Sequence, residues 1–69
     1  MWKVYKWNGR YIQGDLISKH RSEDAAIKKA KTEIDFLFAE KVKNNGETLI
    51  WLDNEHHDPV GVIVRELRG

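Results

Sequence analysis

The chain has 69 residues, 12 basic and 11 acidic, for a net charge of +1, with three histidines and no cysteine. That size predicts a single domain over residues 1–69, burying about 60% of its unfolded surface. The lack of cysteine excludes a disulfide framework, a thiolate metal site and a cysteine nucleophile. No apolar run approaches the ~20 residues of a membrane span, and the amino terminus carries no signal-peptide core, so the expected home is the cytoplasm.

In chain order, residues 2–7 alternate and are rich in aromatic side chains, and Asn8-Gly9 supplies the positive φ values of a type I′ turn. Residues 10–18 then return as a second strand. A two-residue turn pairs Trp7 with Arg10, Tyr5 with Ile12 and Lys3 with Gly14 on one face, and Lys6 with Tyr11, Val4 with Gln13 and Trp2 with Asp15 on the other. Gly14 marks a bulge or a close approach by another backbone.

The central expectation is one long helix over residues 22–42. At 100° per residue, Ala26, Ala30, Ile34, Leu37 and Phe38 fall in one stripe around Ile27, while Lys28, Thr32 and Asp35 fall outside it. Ser22 is the N-cap, Glu23 and Asp24 suit the positive end of the dipole, and Asn44-Asn45-Gly46 is the stop signal. Phe36 breaks the pattern, facing the polar side as an outlier suited to anchoring a partner.

Residues 47–52 form a third strand, 53–58 a polar loop, and 60–64, extended towards Leu67, a β-branched fourth strand. The expected fold is therefore α+β, a ββαββ chain whose four-stranded sheet carries the long helix across one face. Leu49 and Trp51 point opposite to Thr48, Ile50 and Leu52, and Val60, Val62 and Val64 opposite to Ile63. Both faces are thus apolar, whereas an antiparallel sheet solvated on one side reads apolar-in and polar-out. One helix covers one face only, and the other is left for a partner.

The hairpin-helix-hairpin order, with Lys3-Val4-Tyr5 before Asn8-Gly9, Gly14 and Asp15, and Ala39-Glu40-Lys41-Val42 before an Asn-Gly, resembles the β-grasp immunoglobulin-binding domains of streptococcal protein G. That resemblance implies a mixed sheet with parallel, central terminal strands, and no binding residue is carried over from it. Residues 2–35 also resemble the arm-binding domains of phage-type integrases, in which a basic, aromatic hairpin reads DNA. The segment 12–17, with no base and one acid, departs from their pattern.

Function follows from what the residues exclude. The loop 53–58 gathers two histidines and three carboxylates but without the i,i+4 spacing of a metal site, so no metal and no other cofactor is expected. Ser18 and His20 lie too close in sequence, in too polar a setting, to make a buried pair, and no small-molecule substrate or enzyme activity is expected. The remaining reading is a non-catalytic interaction module, a homodimer or an accessory subunit or inhibitor of a larger protein. Its contact residues are Trp2, Tyr5, Trp7, Tyr11 and Trp51 on the sheet, with Phe36 apart. The alternative is a nucleic-acid-binding protein using Lys3, Lys6, Arg10, Lys19 and Arg21 beside the rings. Residues 1–31 carry eight basic against three acidic side chains, net +5, and residues 32–69 four against eight, net −4. Interleaving of the two halves in space would cancel that polarity.

Overall fold

The computed structural model describes residues 1–10 and 14–65. Tyr11, the pairings of Ile12 and Gln13, and the extension of the last strand to Leu67 lie outside the described residues. The elements run β1 (Trp2–Lys6), β2 (Asp15–His20), α1 (Glu23–Glu33), β3 (Phe38–Asn44), β4 (Glu47–Asp53) and β5 (Pro59–Arg65). They form one five-stranded sheet in the order β2-β1-β5-β4-β3, with every neighbouring pair antiparallel.

The expected fold is corrected by this topology. Among the described residues there are five strands rather than four, the helix has 11 residues, and the second half of the expected helix is β3. The terminal strands β1 and β5 are neighbours, but antiparallel, where the β-grasp resemblance implies parallel ones. The start of the helix is as expected: Ser22 Oγ accepts a hydrogen bond from the Ala25 amide at 3.2 Å, with Glu23 and Asp24 in the first turn. Its end comes early. Ile34 is already extended (φ −126°, ψ 129°), and its amide closes the last turn on the Ala30 carbonyl at 2.7 Å.

Beyond Ile34 the residues Phe36, Phe38 and Val42 are weaker helix formers than the alanines and lysines before them. The decisive competitor is the turn that follows. Asn45 (φ 49°) and Gly46 (φ 84°) form the two-residue link between β3 and β4, whose register runs from Asn44 opposite Glu47 to Phe38 opposite Asp53. The Asn-Gly expected to stop a helix therefore reverses a hairpin.

The first hairpin is corrected in the other direction. Lys6, not Trp2, lies opposite Asp15, and Trp2 lies opposite His20, so β1 and β2 are not joined by a two-residue turn at Asn8-Gly9. Trp7 donates its amide to the Val60 carbonyl at 2.9 Å, extending the β1–β5 pairing where a tight turn would have bent away. Asn8 is occupied with the loop itself, accepting from the Arg10 amide at 2.9 Å and donating to Asp15 at 3.0 Å. Gly14, with φ 72°, presses its backbone against the Lys6 carbonyl, and a Cβ there would collide with it.

The helix lies over β1 and β2. Ala26 and Ala30 are fully buried and let α1 approach the sheet closely, where they join Trp2, Val4, Ile34, Ile50, Leu52 and Ile63 in the core. The segment after the helix continues this cover, with Ile34 against Gly61 and Phe36 packed on the same core, but leaves β3 exposed. Register shifts between Val4 and Tyr5 and between Leu52 and Asp53 interrupt the ladders, and Ile17 and Val60, beside them, both pack against this core. Among the described residues no helix is long and apolar enough to cross a membrane.

Candidate functional site: the open face of the sheet

Strand alternation fixes which side chains face away from the helix. Lys41, opposite Ile50, reaches Glu23 of α1 at 2.6 Å and so marks the covered side of β3; Glu40 and Val42 face the other way. The open face then reads, across β2, β1, β5, β4 and β3, as a row of Leu16, Tyr5, Val62, Trp51 and Glu40. Beside it runs a second row of Lys19, Lys3, Val64, Leu49 and Val42.

The centre of this face is apolar. Val62 and Val64 are only 2% and 8% exposed, yet neither belongs to the cluster packed beneath the helix. Val62 is sheltered by cross-strand neighbours, Tyr5 on one side and Trp51 on the other, both half-buried. Around them Leu16 and Val42 are exposed, and Phe38, 43% exposed, stacks on His57 at 4.3 Å. Lys3 and Lys19 stand at the β1/β2 side and Glu40 and Glu47 at the β3/β4 side.

The expected contact residues divide accordingly. Tyr5 and Trp51 share the open face, and Trp7, 43% exposed, follows β1 at its end. Trp2 does not join them: it is 8% exposed in the core beneath the helix, with the Arg65 guanidinium 5.4 Å from its ring. Phe36 is no exposed outlier, because the helix has ended before it and its ring is half-buried against the core. Phe38 and Val42 were missed by sequence reasoning, since a helix ending at residue 42 hides the alternation of 38–44, and Leu16 was missed because a two-residue turn sets Asp15 opposite Trp2, whereas Leu16 lies opposite Tyr5. The tight Asn45-Gly46 turn was the available signal.

The cations of the nucleic-acid alternative are also divided. Lys3 and Lys19 lie on the open face, Lys6 is in line with Trp2 and Val4 on the covered side, Arg10 lies between β1 and β2 and Arg21 lies between β2 and α1.

The other sites weighed in the sequence have plain geometries. The loop 53–58 is folded around Asn54, whose side-chain oxygen accepts from the amides of His56 and Asp58 at 2.9 and 3.0 Å. Among the described residues no three metal-ligating side chains converge. Ser18 and His20, against expectation, are half-buried and hydrogen-bonded at 2.9 Å, because alternate residues of a strand share a face. A hollow of about 430 Å³ is lined by Asp35, Leu37, Asn54, Glu55 and His56, and its titratable groups are all exposed. Comparison with protein-family models, curated proteins and solved structures gives no match.

Proposed function

We propose that this protein is a non-catalytic interaction module that docks another polypeptide on the open face of its sheet. The observation that supports this is the second apolar layer. Val62, Val64, Tyr5, Trp51 and Leu49 form a contiguous patch on the side away from the helix, with the two valines buried and Tyr5, Trp51 and Leu49 half-buried around them. Scattered apolar residues on a surface are ordinary, but a connected patch at the centre of a sheet is a surface with a use. Half-buried aromatic rings are the side chains that contribute most at such surfaces.

The test uses Leu16→Glu together with Val42→Glu. Both positions are exposed, at 45% and 37%, so the double variant should melt within about 0.5 kcal/mol of the parent per site. Every association of the chain, with itself in purified form or with proteins of its own host in affinity capture, should be lost. Equal association by parent and variant, or none by either, removes the reading.

A further inference from the structure

We infer that the occupant of the open face is a second copy of this chain, related by a two-fold axis running along β5. This deepens the docking reading above and rests on it. Strand β5 is the middle strand of five, so such an axis lays β1 of one copy over β4 of the other and β2 over β3. Tyr5 of each copy then meets Trp51 of the other on either side of the axis, while Val62 and Val64, already only 2% and 8% exposed, lie beneath these rings.

Charge selects this arrangement. The basic half of the chain forms β1, β2 and α1, and the acidic half forms β3, β4 and β5, so the halves lie side by side in the sheet without interleaving. The two-fold along β5 sets the Lys3 and Lys19 side of each copy over the Glu40 and Glu47 side of the other. The lysine stems lie along Leu49 and Val42, and their ammonium groups reach the carboxylates at the rim. A two-fold running across the strands would instead stack like charge on like charge.

The sheet edges favour the face as the contact. Pairing β3 with a copy of itself sets Lys41 against Lys41 when centred there, Glu40 against Glu40 one residue earlier, and Lys41 against Lys43 one residue later. The opposite edge, β2, is irregular between its pairings with Val4 and Tyr5. Five strands about 4.8 Å apart and about 20 Å long give on the order of 1,000 Å² buried over both copies, the lower end of a specific interface. The dimer therefore forms and dissociates with concentration.

Sedimentation equilibrium of the purified chain from about 10 μM to about 1 mM should show the mass rise from 8.1 kDa towards twice that value. Lys3→Glu with Lys19→Glu should stay monomeric and folded, as should Glu40→Lys with Glu47→Lys. Mixed in equal amounts, the two variants should restore the dimer. A parent chain of 8.1 kDa at every concentration overturns the inference, as does failure of the mixed variants to associate. A monomer that still captures a host protein, and loses it in the Leu16→Glu, Val42→Glu variant, removes the second copy but leaves the docking reading standing. Tight, steeply salt-dependent binding of a single-stranded oligonucleotide, lost in the Lys3→Glu, Lys19→Glu variant, overturns both.

Discussion

Trp2 and Trp7 lie five residues apart and meet opposite environments. Trp2 points beneath the helix, 8% exposed, while Trp7 follows the end of β1 and keeps 43% of its surface in solvent. Truncating a buried indole removes its transfer free energy and leaves a cavity, so Trp2→Ala should destabilise the fold by about 3–5 kcal/mol in urea denaturation. Trp7→Ala should cost less, about 1 kcal/mol in the same measurement, for the part of its ring held out of solvent. Phe36 falls between them: its half-buried ring packs on the core, and Phe36→Ala should lose about 1–2 kcal/mol. A Phe36→Ala variant as stable as the parent would return that ring to the surface, where the helical projection had put it.

At the scale of elements, the chain holds two Asn-Gly pairs, and they behave differently. Asn45-Gly46 reverses the chain in two residues because β3 and β4 pair fully up to Asn44 and Glu47. Asn8-Gly9 does not join β1 to β2 in this way, because Trp7 is still tied to Val60. Gly46→Ala places a side chain at φ 84° and should cost about 1–2 kcal/mol in urea denaturation. Ser22→Ala removes the hydroxyl that caps α1 and should cost about 1 kcal/mol.

These elements also mark how far the sequence was legible. Ser22, Ala26, Ala30 and Ile34 announced the helix, since a cap and a buried stripe leave a strong periodic signal. All seven residues of β3 are exposed, so that edge strand carries no core imprint, and its Ala, Glu and Lys residues favour a helix by local propensity. Strand identity there comes from pairing with β4, which a local pattern does not contain. The doubly apolar character of the sheet was legible, because β5 reads Val60-Gly-Val-Ile-Val64 and feeds both faces. The alternation along β1 was legible too, with Lys3, Tyr5 and Trp7 on one side and Trp2 and Val4 on the other; which side the helix covers was not, and so Trp2 was counted among the contact residues.

For the molecule as a whole, the topology decides what the charge distribution does. Had the acidic strands been inserted between β1 and β2, the net +5 and −4 of the two halves would largely cancel at a distance. With β2-β1 on one side and β5-β4-β3 on the other, the molecule keeps an electric polarity across its open face. Two copies crossed on the β5 axis combine an apolar centre, indifferent to ionic strength, with a rim of lysine–carboxylate pairs that salt screens. Raising salt from about 50 mM to about 500 mM should therefore weaken the dimer only a few-fold in sedimentation equilibrium. In the mixed Lys3→Glu, Lys19→Glu and Glu40→Lys, Glu47→Lys pair one rim is reversed and the other is as in the parent, but the net charge goes from +1 to −3 in one chain and to +5 in the other, so the loss should be steeper than in the parent. A fall of about a thousandfold over that range is the signature of counterion release from a polyanion. It would mean that phosphates, and not a second sheet, are what the lysines of the open face meet.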